Sequence, residues 1–76
     1  MPEYISSDVA ERIKALAKLR EISVRQVLLK AGMGYNTMAN MKSSMLKADN
    51  LARIADVLNC SMDYLMGRTD NPDVNI

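Results

Sequence analysis

The sequence predicts an all-α fold, a compact domain of five short helices. Three observations predict it. Apolar residues recur at helical spacing, most clearly as Leu51, Ile54, Ala55 and Leu58 at i, i+3, i+4 and i+7. No stretch shows the strict apolar/polar alternation of a half-buried strand, and no internal repeat is present. Helix punctuation recurs along the chain, with Ser23 and Ser61 placed to open helices and Gly32 and Gly67 placed to close them. A chain of 76 residues makes one small domain, which buries only about 60% of its unfolded surface and needs economical packing.

In chain order, residues 1–7 form an N-terminal segment in which Ser6 or Ser7 can cap the first helix. That helix is expected from Asp8 to Arg20. Val9, Ile13 and Leu16, with Ala10 and Ala17 beside them, make its inner face, and Asp8 and Glu11 suit its positive end. Glu11, Lys14, Lys18 and Glu21 lie opposite, with Glu11 and Lys14 close enough to pair. Ile22 ahead of Ser23 marks the start of a second helix, Val24 to Ala31, with Val27, Leu28 and Ala31 inward. Gly32 stops it, and Gly32 and Gly34 together allow the positive φ of a sharp turn. A third helix starts near Tyr35 and ends near Lys42 or Ser43, its Met38 and Met41 facing the core. The serines of 43–47 can satisfy local backbone groups. The fourth helix carries the Leu51–Leu58 pattern. Ser61 caps a fifth, Met62 to Met66, with Asp63 in its first turn and Gly67 after it. Residues 8–67 are thus the folded domain, and the polar stretch 68–76, containing Pro72, is a mobile tail.

Composition excludes several function classes. With no His and a single Cys, there is no zinc cluster and no Cys-His or Ser-His nucleophile pair. An enzyme has no supporting constellation, and neither a cofactor nor a small-molecule ligand is implied. Cys60 reads as a buried structural thiol in a reducing compartment. The seven methionines, Met33, Met38 and Met41 among them, read as core filler. No apolar run approaches the roughly 20 residues that cross a membrane, and the start lacks a signal-peptide layout, so a cytoplasmic protein is expected.

Net charge is only +1, but its distribution is uneven. Residues 22–48 contain no acid and carry Arg25, Lys30, Lys42 and Lys47, a local charge of +4. The first 21 residues balance four acids against four bases, and residues 49–76 set five Asp against Arg53 and Arg68. The basic span coincides with the glycine turn and the two helices around it, a helix-turn-helix corner. On the third helix Tyr35, Asn36, Ala39, Asn40 and Ser43 remain outside once the methionines face inward. A free face bearing Asn, Thr and Tyr without a carboxylate can read base edges in a DNA major groove.

The span from about Arg12 to Gly67 resembles the Cro and lambda-repressor-like helix-turn-helix family, also called XRE-like. The resemblance is carried by Arg12-Ile13-Lys14 through Leu16, by Ile22-Ser23, and by Ala31-Gly32-Met33-Gly34-Tyr35-Asn36-Thr37-Met38. The run from Asn50 through Leu51-Ala52-Arg53-Ile54-Ala55 to Asp63-Tyr64-Leu65-Met66-Gly67 completes it. The resemblance implies a lambda-repressor-like DNA-binding domain whose third helix enters the major groove. Tyr35, Asn36 and Asn40 match base-reading positions, with Asn36 foremost because its amide can bond adenine N7 and N6 together. Thr37 and Ser43 match phosphate positions. Ser23 and the N–H groups of Val24 and Arg25 can hold a further phosphate, and Lys42 and Lys47 add counterion-releasing contacts. The sequence departs from the family where Val24 replaces a frequent Gln, which removes a side-chain contact to DNA. Leu28 and Ala31 exchange the usual small and large residues, and Ser44 stands where glycine commonly ends the third helix.

The implied function is a sequence-specific double-stranded DNA-binding transcriptional regulator of phage or bacterial type, a repressor occupying an operator. A homodimer would use the end of the domain, some of Met62, Met66, Val74 and Ile76. The alternative is a protein-interaction module of the same fold, of antitoxin or antirepressor type.

Overall fold

A computed structural model describes residues 4–34 and 36–73. Five helices follow one another: α1 (Ser6–Leu19), α2 (Val24–Lys30), α3 (Asn36–Asn40), α4 (Ala48–Leu58) and α5 (Met62–Met66). α1 packs on α2, α4 and α5, and α4 also packs on α2 and α5. α1 and α4 therefore form the centre of the domain.

The inward faces are those the spacing marks. Val9, Ala10, Ile13, Leu16 and Ala17 of α1, Val27 and Leu28 of α2, and Leu51, Ile54, Ala55 and Leu58 of α4 are all buried. Ala31, Met41, Cys60 and Leu65 complete the core. Met33 and Met38 are half-buried against it. Burying a Leu, Ile or Met side chain contributes about 1.5–3 kcal/mol each, so this cluster is the main source of stability. On the outer face of α1, Lys14 Nζ lies 3.6 Å from Glu11 Oε1, an exposed pair worth a few tenths of a kcal/mol at most.

Helix starts divide into two kinds. Ser23 Oγ accepts from Gln26 N–H at 3.1 Å, while Gln26 Oε1 accepts from Ser23 N–H at 3.4 Å, a reciprocal capping box at α2. Ser61 Oγ caps α5 by accepting from Tyr64 N–H at 3.1 Å. α1 is different. Neither Ser6 nor Ser7 caps it; both lie inside its first turn, because the Ile5 carbonyl already accepts from Asp8 and Val9 N–H at 3.1 and 3.2 Å. The helix thus starts a half-turn earlier than Asp8, carried by buried Val9 and Ala10 rather than by a side-chain cap.

Four of the helices end alike. Ile22 N–H bonds the Ala17 carbonyl, Met33 that of Leu28, Cys60 that of Ala55 and Arg68 that of Asp63, at 2.8–3.0 Å. Each closure is a Schellman turn around one left-handed residue, Glu21, Gly32, Asn59 or Gly67. Of the two glycines in the corner, Gly32 takes positive φ, at 77°, and Gly34 does not. α3 ends at Asn40 instead of Lys42 or Ser43. Lys42 and Ser43 N–H bond three residues back, to Ala39 and Asn40, which tightens the chain out of α geometry. Asn40's carbonyl also receives Ser44 N–H at 3.1 Å and its hydroxyl at 3.3 Å, so the serines do the work a glycine commonly does there.

The segment after Gly67 makes hydrogen bonds through its described part. Ser61 N–H donates to the Pro72 carbonyl at 3.0 Å, and Thr69 and Asn71 side chains accept from the N–H groups two residues on. Val74 and Ile76 lie outside the described residues.

Candidate nucleic-acid interface

α3 stands out from the core. None of its five residues is fully buried, and Met41, just past its end, is the side chain that anchors it, with no exposed surface. Met38 adds a half-buried contact. The other face presents Asn36, Ala39 and Asn40, all exposed, at i, i+3 and i+4. Tyr35 lies outside the described residues. The exposed face of α3 is uncharged, and its amides can each donate and accept.

In sequence on both sides of α3 the acid-free segment supplies exposed cations. Arg25 on α2, Lys42 just after α3, and Lys47 at the start of α4 are exposed, as is Lys30 at the end of α2. Ser23 is exposed and its oxygen accepts from Gln26 N–H, which leaves the hydroxyl proton for another acceptor. Val24 is half-buried and its apolar side chain packs on the core, so only its backbone N–H, at the first helical position, can meet a phosphate. Ser43 is exposed, its hydroxyl 3.5 Å from the Asn40 carbonyl. Thr37 differs from the rest of this group. Its Oγ1 donates to the Gly34 carbonyl at 2.8 Å, and its N–H donates to the same carbonyl at 3.2 Å.

Two features, the Gln26 half of the α2 capping box and the exposure of Leu29, carried no weight in the sequence. The capping box at α2 was legible as Ser23-x-x-Gln26. Leu29 is 75% exposed and borders an open apolar groove with Leu28, Met33, Gly34 and Arg25. Arg53 and Asp56 are exposed on α4. Met62 and Met66 are half-buried against the core. Cys60 is buried, and burial pushes its thiol above the ordinary 9.0 despite the nearby Arg20 guanidinium. No helix among the described residues is long and apolar enough to cross a membrane, and no metal-binding cluster is found among them.

A short α2, a glycine turn and a protruding α3 with a polar outer face define a helix-turn-helix. A Cro/C1-type helix-turn-helix DNA-binding domain model matches residues 12–71, and the chain belongs to that family. The match covers all of the corner and extends past Gly67 into the segment that folds back on Ser61. Comparison with curated proteins and with solved structures found no match.

Proposed function

We propose that this DNA-binding domain is a transcriptional repressor that occupies a specific double-stranded operator with α3 in the major groove. The observation that carries the reading is the exposed, carboxylate-free face of Asn36 and Asn40 in a span, residues 22–48, that contains no acidic residue and carries exposed Arg25, Lys42 and Lys47. Asn36 and Asn40 read base edges, together with Tyr35, each good amide–adenine pair discriminating by about 1–3 kcal/mol. Ser23, the Val24 N–H, Arg25, Lys42, Ser43 and Lys47 hold phosphates and fix register without reading sequence. Two copies acting on a palindromic site would place their α3 helices about 34 Å apart.

The test is selection from random duplexes by the wild-type chain and by Asn36→Ala at two salt concentrations, with sequencing and sedimentation of the bound species. A motif with two half-sites, relaxed in Asn36→Ala, supports the reading. Absence of any motif, with no binding at low salt, rejects it; a strict monomer on a palindromic site rejects the dimer.

One observation favours a partner protein instead. Leu29 is exposed beside an apolar groove at the corner, as a docking surface for an antitoxin- or antirepressor-type contact would be. Salt separates the two readings, because phosphate contacts release counterions and give a steep salt dependence that an apolar contact lacks.

A further inference from the structure

We propose that Thr37 is a positioning residue of the recognition helix rather than a phosphate ligand, a role that rests on the reading of α3 as the base reader. The hydroxyl has one proton, and at 2.8 Å it is committed to the Gly34 carbonyl. The same carbonyl accepts Thr37 N–H at 3.2 Å, so both of its lone pairs are engaged by one residue. On the other side the Thr37 carbonyl accepts Met41 N–H at 3.2 Å, and Met41 is fully buried. Thr37 therefore joins the turn in front of α3 to the buried residue that anchors its far end.

This link matters because α3 has little else to hold it. It spans Asn36–Asn40, none of which is fully buried, and within it only Met38 packs, half-buried, against the core. Helices shorter than about 12–15 residues are marginal on their own, so the direction of α3 depends on its two ends. Asn36 directly precedes Thr37, and Asn40 follows it by three positions on the exposed face. A few degrees of tilt at Gly34–Thr37 moves both amides relative to a base edge, and a bidentate bond tolerates little displacement. A phosphate could claim the hydroxyl proton only by breaking the 2.8 Å bond that fixes this direction.

The experiment compares Thr37→Val, which keeps the branched shape and loses the proton, with Thr37→Ser, which keeps it. Each full-length chain is titrated with the selected operator, with operators altered at the base pair whose preference Asn36→Ala abolishes, and with an unrelated duplex. The expected result is that Thr37→Val loses at least about five-fold of the discrimination at that base pair. Its binding to the unrelated duplex changes by less than about two-fold, since phosphate contacts carry no sequence information. Thr37→Ser restores the discrimination. Equal loss on every duplex with discrimination intact, or no change on any, overturns the proposal.

A second measurement does not depend on how well Thr37→Val folds. Operator phosphates are replaced one at a time by neutral methylphosphonates and titrated with the wild-type chain and with Thr37→Val, each read as its own ratio of modified to unmodified operator, in which any folding deficit of the variant cancels. A phosphate whose replacement costs the two proteins clearly different factors marks a direct hydroxyl contact and overturns the proposal; equal costs at every phosphate support it. If Asn36→Ala alters no base preference, α3 is not the reader, and that failure is distinct from retention of Asn36-dependent discrimination in Thr37→Val.

Discussion

Arg20 Nε donates to the Leu58 carbonyl at 3.1 Å, joining the end of α1 to the end of α4 across 38 residues of sequence. Its Nη2 reaches the Asn59 carbonyl at 3.5 Å, a weaker contact. The last carbonyls of α4 have no intrahelical partner, and a cation at a helix C-terminus also meets the negative end of its dipole. Arg20 thus supplies a donor where α4 lacks one and fixes the angle between the two central helices.

Arg20→Gln should therefore lower stability by about 1 kcal/mol, toward the low end for a charged hydrogen bond because Arg20 is an exposed residue and its bond only part-buried. For a domain of this size that is a fall in Tm of about 4–8 °C. Thermal unfolding followed by circular dichroism measures it, and an unchanged Tm would mean that the bond contributes nothing in solution.

Glu21 offers the opposite effect. It holds φ at 59° in the left-handed position of the α1 closure, where a Cβ is unfavourable and glycine is not. Glu21→Gly should stabilise the domain by about 0.5–1 kcal/mol after the gain in unfolded-state entropy is counted. Asn59→Gly, at φ 53°, should gain less, because Asn tolerates this region. Denaturant midpoints for the two variants test both the sign and the order.

Lys42→Ala and Lys47→Ala address the proposed interface. Each should weaken binding to operator and unrelated duplex alike and reduce the slope of log K against log salt by about 0.9. An effect confined to one base pair would instead move the residue from the phosphate set to the base-reading set.

Cys60 predicts a pH dependence. Its thiol is raised by burial, so the folded protein keeps a proton that the unfolded chain releases near 9.0. The folded state then binds more protons above that value, and stability falls as pH rises through it, by up to about 1.4 kcal/mol per unit. Below it this group contributes no slope. Cys60→Ala should be less stable at neutral pH yet lose this part of the alkaline decline, which urea titrations between pH 7 and 10 would show.

The sequence by itself determined what depends on near neighbours. The buried faces of α1 and α4, the Ser23 and Ser61 caps, the Gly67 stop and the limits of α5 follow from side-chain spacing and from which side chains can bond a backbone group two or three residues away. The exposure of Asn36 and Asn40 followed in the same way, from the methionines that must face inward. Tertiary structure decided what depends on groups distant in sequence or on competition among nearby ones. Arg20 finds the α4 carbonyls only once α1 lies against α4, and the Pro72 carbonyl finds Ser61 N–H only when the chain turns back after α5. α1 starts at Ser6 because buried Val9 and Ala10 hold its first turn without a serine cap. Thr37 carries a hydroxyl equally suited to a phosphate or a carbonyl. The turn at Gly34 brings that carbonyl to 2.8 Å of the hydroxyl, and of the two acceptors open to it the structure gives the proton to the carbonyl.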